Sequence, residues 1–243
     1  TAMTVTDRHR HHQHHRRSFG WRAALIGAVV LLAACGSKPP TPDWKINSRG
    51  AVQRATEAYL SGQQRVSDLE WRNARSEVSR TGSPEQLARV ELLYCAAQIA
   101  SANVQECAGF ESLRADALAP EQSYADFLAG QSLTAAQIAL LPEAQRKSVS
   151  DPNAIAAIED PLSRLVAAGA ALRAGRATPE TLVTATDTAS AQGWSRALLG
   201  WLNLRAQRAQ SLGDHSLEAA LRRRIELVER QGQPAQAGAA KAQ

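Results

Sequence analysis

The side chain best placed for chemistry is the thiol of Cys35, because of what precedes it. Basic residues fill the segment from Arg8 to Arg22, and an apolar run of twelve residues then extends from Ala23 to Ala34. A helix needs about 20 apolar residues to cross a bilayer. A basic segment followed by a short apolar core is typical of a secretory signal peptide, which would place a cysteine where cleavage falls.

The four residues Leu32-Ala33-Ala34-Cys35 resemble the lipobox of bacterial lipoproteins. This resemblance implies that residues 1–34 are a signal peptide and that Cys35 carries acyl chains, such as palmitate, as the mature N-terminus. Several chains anchor a protein more firmly than one, since each buried CH₂ contributes about 0.8 kcal/mol. With Gly36 rather than Asp after the cysteine, the resemblance implies the outer membrane. The alternative is a short membrane anchor with an incidental cysteine.

Two further thiols, Cys95 and Cys107, remain once Cys35 is acylated. Export would place them in an oxidising compartment, so we expect an intrachain disulfide. In one straight helix the two residues would be about 18 Å apart, beyond the reach of a disulfide. The chain must therefore turn back after about Ala102. The alternative is two reduced, buried thiols.

Few other residues offer catalytic or metal-binding chemistry. A histidine run from His9 to His15 lies in the signal segment, so the mature chain keeps only His215, at a turn after Gly213-Asp214. The mature chain has no Gly-x-Ser-x-Gly elbow, no zinc spacing of His and Cys, and no phosphate-binding loop. We therefore expect no metal, no cofactor and no catalytic residue.

Other charged and aromatic groups have structural interpretations. The adjacent Glu159 and Asp160 precede a proline, which is typical of a helix start. Three arginines from Arg222 to Arg224 stand among glutamates, which is typical of a solvated helix face. The tryptophans at 71, 194 and 201 have helical spacing and are expected in the core, although a groove lined by them could hold a peptide.

The charge balance gives no argument for nucleic-acid binding, and we expect no nucleic-acid partner. Without residues 1–34 the chain has 209 residues, with 23 basic and 22 acidic side chains. The basic pI thus belongs mostly to the signal segment, and no clustered basic face is present. Alanine and leucine are abundant and no segment alternates with period two, so we expect an all-α protein.

The chain divides into four parts. We expect residues 1–34 to be the signal peptide, 35–47 the lipidated cysteine with a proline-rich linker, 48–230 a helical domain, and 231–243 a disordered tail. Helix starts are predicted at Ser83-Pro84, Asp160-Pro161 and Thr178-Pro179. The helix after Ser83 has apolar residues on two faces, which predicts a central position.

The final segment, from Trp194 to Val228, has two apolar stripes separated by Gly213-Asp214, which predicts an αα-hairpin. It resembles a tetratricopeptide-type helical pair, as does Ala51 to Val78, although no 34-residue period recurs. We therefore expect stacked antiparallel helical hairpins, as a short α-solenoid-like array or an irregular bundle, with stacking favoured over closure.

These observations favour a non-enzymatic lipoprotein, held at the outer membrane by lipid on Cys35 and facing the periplasm, that binds another envelope protein. The binding residues are not identified by sequence. One alternative is an envelope enzyme that hydrolyses peptidoglycan or polysaccharide through two carboxylates. Another is a pilotin-like chaperone for a secretion subunit.

Overall fold

The computed structural model describes residues 40–230, and this part of the chain is helical, with no strand. The all-α prediction is confirmed. The signal segment, Cys35 and the tail from residue 231 lie outside the described residues. The α-helices are α1 (Asp43–Leu60), α2 (Gln64–Ser79), α3 (Pro84–Ala100), α4 (Ala108–Glu111), α5 (Ala119–Leu128), α6 (Ala135–Leu140), α7 (Glu143–Arg146), α8 (Pro161–Arg173), α9 (Pro179–Gln192), α10 (Ser195–Ser211) and α11 (His215–Glu229). Short 3₁₀ turns lie at Arg114–Asp116, Lys147–Val149 and Pro152–Ala157.

The first helix begins at Asp43 rather than near Arg49, so the predicted linker ends earlier than residue 47. Pro42 precedes the helix, and its carbonyl accepts a hydrogen bond from the amide of Lys45 at 3.0 Å. The carboxylate of Asp43, in the first turn, interacts favourably with the positive end of the helix dipole. Trp44 packs against the core, which holds this early turn in place.

The predicted helix starts agree with the structure. The side chains of Ser83, Asp160 and Thr178 each accept a hydrogen bond from a backbone amide in the first turn of the following helix. In each case proline occupies the first helical position. Proline fits there because its missing N–H would have no partner within the helix.

Helix α3 is the centre of the bundle, as its two apolar faces predicted. It contacts α1, α2, α5 and α8. Its contact with α8 is unusually close, because a methyl carbon placed on Gly169 would lie 2.2 Å from the Ile99 carbonyl oxygen. Only a residue without a Cβ allows the two backbones to come this near.

The C-terminal hairpin of α10 and α11 is confirmed, and α10 also packs back onto the first half of the domain. The indole nitrogen of Trp201 donates to the Ala100 carbonyl at 3.0 Å. The hydroxyl of Ser195 donates to the Ser61 carbonyl at 2.9 Å. The described helices therefore pack against one another as an all-α bundle or array, as the sequence predicted.

Candidate functional site: an apolar groove over the central helix

The two cysteines of the helical domain lie at disulfide distance. Cys95 is buried on α3, Cys107 precedes α4, and their Cα atoms are 5.4 Å apart. The chain turns back at Ala102, which has a φ of 60°. This turn directly after α3 is what the spacing of the two residues required.

Reduction of the Cys95–Cys107 bond should destabilise the domain by roughly 2–3 kcal/mol, because the unfolded chain regains the freedom of a short loop. Thermal unfolding of the full chain with and without dithiothreitol measures this as a lower Tm in the reductant. A Cys95→Ala, Cys107→Ala double variant is the matched control, since its Tm should not respond to dithiothreitol. Equal melting of the wild type in both buffers would show that the bond does not form.

Of the other predicted groups, His215 and Arg222 meet at Glu218 on α11, while Asp160 caps α8. His215 is 87% exposed at the start of α11, with Nδ1 3.8 Å from a Glu218 carboxylate oxygen. Asp160 caps α8 by accepting from the Ser163 amide at 2.7 Å, and Arg222 pairs with Glu218 at 2.7 Å. Within residues 40–230, no group of three or more His, Cys, Asp and Glu side chains has the arrangement of a metal site.

The three tryptophans predicted for the core are buried, so they do not together line a groove. Only Trp194 reaches an open surface. Its indole nitrogen donates to both carboxylate oxygens of Glu57, each at 2.9 Å. Glu57 and Trp194 both line a groove that the sequence did not identify.

The groove is about 890 Å³ in volume and lies over α3, between α1 and α8. Its floor includes Ala96 and Ala97 of α3, which are buried, and Leu93 lies about one helical turn before them. Its side walls carry the apolar residues Val52 of α1 and Val166 of α8, and Val66 lies beside the turn after α1. The polar side chains are on the rim, including Arg49, Gln53, Arg54 and Gln63.

A second, smaller pocket continues from the groove. Leu93 and Tyr124 line both cavities, and the second has a volume of about 400 Å³. Burial raises the pKa of the Tyr124 hydroxyl well above its usual value, so this group stays protonated and uncharged. Three large apolar side chains remain exposed along the joined surface, namely Val66 (46%), Leu93 (44%) and Leu140 (42%). We call this joined surface the groove below.

A separate cavity of about 480 Å³ holds the carboxylates Glu106, Glu111 and Asp126. Arg114 lies 2.7 Å from Glu111 and 3.0 Å from Asp126, and so pairs with both. The hydrogen bond from Arg114 lowers the pKa of Glu111. The catalytic acid of a glycosidase needs a raised pKa, and the pKa of Glu111 is instead lowered, which does not suit it to that role.

Comparison of the chain with protein-family models, with curated proteins and with solved structures finds no match. None of the helices between residues 40 and 230 combines the length and apolar character needed to span a bilayer.

Proposed function

We propose that this protein is a lipid-anchored envelope protein whose helical domain binds a segment of another protein in the groove. The observation that carries the proposal is the exposure of Val66, Leu93 and Leu140 along one concave surface. Large apolar side chains clustered in a groove are exposed to water when no partner is bound, and burying them against a partner is favourable. An amphipathic helix or extended segment would cover them with its own apolar side chains.

The anchor in this proposal is the lipid on Cys35, which the lipobox pattern supports. Helix α1 begins at Asp43, so the tether between lipid and domain is only eight residues long. Fully extended, such a segment spans about 28 Å. The prolines at positions 39, 40 and 42 favour an extended chain. The groove would thus stay close to the membrane surface, where it meets other envelope proteins.

The test uses a phage-displayed library of random dodecapeptides selected on the immobilised full chain. We expect enriched peptides with apolar residues at i, i+3 and i+4 or at alternating positions. Leu93→Ser should weaken the binding of these peptides at least tenfold, since a buried leucine contributes about 1.5–3 kcal/mol. Fluorescence anisotropy with a labelled selected peptide measures the Kd.

Leu217→Ser is the matched control, because Leu217 is 41% exposed on α11 and does not line the groove. Its Kd for the same peptide should stay within twofold of the wild type. A library without enriched peptides, or peptides that bind equally to Leu93→Ser, would contradict docking in the groove.

A further inference from the structure

Within the groove, the smaller pocket has a distinct lining. It lies between α3, α5 and the connection from α6 to α7. Its walls are mostly apolar and include Leu93, Leu140, Leu141 and Pro142. We call it the Leu140 pocket. Two charged side chains also line it, the carboxylate of Glu121 and the guanidinium of Arg89.

The two oxygens of Glu121 are in different environments. Oε1 accepts a hydrogen bond from Nε of Arg89 at 2.6 Å. Oε2 is buried and has no hydrogen-bond partner among the described residues. The side chain as a whole is only 15% exposed. A buried acceptor on a charged group costs free energy when it is left unpaired, so a donor at this oxygen would stabilise the protein.

Charge is also unbalanced at this place. Arg89 pairs with Glu85 at 2.8 Å as well as with Glu121. One guanidinium therefore faces two carboxylates, and the cluster has a net charge of −1. A positively charged donor would both neutralise the net charge of this cluster and donate a hydrogen bond to the unpaired oxygen of Glu121.

We propose that the Leu140 pocket binds a lysine or arginine side chain of the partner segment. The aliphatic stem of such a side chain packs on apolar walls while its charged end reaches a polar group. Here the stem lies against Leu93 and Leu140, and the cationic end donates to Oε2 of Glu121. The inference rests on the proposed docking function and gives the partner a defined chemistry: apolar residues with one adjacent basic residue.

The test uses two small probes on the full chain, followed by ¹H–¹⁵N NMR. n-Butylguanidinium has an aliphatic stem and a cationic end, and n-pentanol has a similar stem and a neutral end. We expect n-butylguanidinium to shift the amides of Leu93, Glu121 and Leu140 saturably, at least fivefold more tightly than n-pentanol. This comparison needs no variant. Equal affinities, or tighter binding of n-pentanol, would overturn the proposal.

Two variants separate the hydrogen bond from net charge. Glu121→Gln should weaken the binding of n-butylguanidinium about tenfold and change the affinity for n-pentanol by less than twofold. Only the cation donates to the carboxylate. Glu143→Gln removes the same charge from an exposed neighbour of Pro142 outside the pocket lining, and should change neither affinity more than twofold. An equal loss of cation affinity in both variants would show a general charge effect and contradict a site at Glu121.

The peptide library distinguishes this inference from the docking function. If the enriched peptides lose binding in Leu93→Ser but contain no lysine or arginine, the proposed docking is supported and the proposed cation site is wrong. If n-butylguanidinium binds as expected but no peptide is enriched, the pocket takes cations and the docking function is wrong. If the enriched peptides carry a basic residue whose effect disappears in Glu121→Gln, both stand.

Discussion

Gly169→Ala should lower the free energy of unfolding by about 3 kcal/mol, although alanine favours helix over glycine. The added carbon would lie 2.2 Å from the Ile99 carbonyl oxygen and 2.6 Å from its Cγ2. The obstructing groups include backbone of the central helix, which cannot rotate away as a side chain can. Helices α3 and α8 must therefore separate, and the core around Ile99 loses its packing.

Chemical denaturation by urea, followed by circular dichroism, measures this loss. Gly50→Ala is the matched control, since Gly50 is also helical and its nearest group is the flexible end of Arg54, 3.2 Å away. That variant should be neutral or more stable by up to about 1 kcal/mol. If the two variants were equally stable, the close approach of α3 and α8 would be wrong.

Cys35→Ser should abolish lipid attachment completely, since a hydroxyl cannot replace the thiol that forms the thioether. In cells fed labelled palmitate, the variant should carry no label and should accumulate at the size of the unprocessed chain. The lipid supplies the anchor in the proposed function, and a single acyl chain already contributes about 0.8 kcal/mol per buried CH₂. Fractionation should therefore show no acylated form in the membrane.

Cys107→Ser provides the control for this experiment. It also removes one thiol, but it lies in the helical domain, where it should affect stability rather than acylation. Its palmitate label should match the wild type in amount per molecule. Label that persists on Cys35→Ser would contradict the lipobox interpretation.

The parts of the fold that follow from local sequence could be predicted. The helix caps act through hydrogen bonds within the first turn of their own helix, as at Ser83, Asp160 and Thr178. A few neighbouring residues are therefore enough to predict them. The turn at Ala102 followed from the spacing of two cysteines and the length of a helix. These inferences need no knowledge of distant contacts.

The groove and the packing of α10 against α1 and α3 depend on residues far apart in the chain and could not be predicted in this way. Leu93 lies outside the two predicted apolar faces of α3, and an apolar residue in that place is a local signal of the groove. The role of Glu121 is visible only when Arg89 and Leu140 are brought beside it. Gly169 gave no signal either, because a helical glycine does not reveal which backbone it meets.

The contact between Glu57 and Trp194 joins residues 137 positions apart, and Trp201 reaches back 101 positions to Ala100. Such pairings form late, because a long loop must close before they contribute. If the chain crosses a membrane N-terminus first, nearly all of it must emerge before α10 can cover α1 and α3. A chain that ends at Gln192 would lack α10 and α11. Helices α1 and α3 would then be exposed to proteases and to aggregation. If the chain is exported as proposed, completion of the last two helices would therefore set the point at which it becomes resistant to degradation.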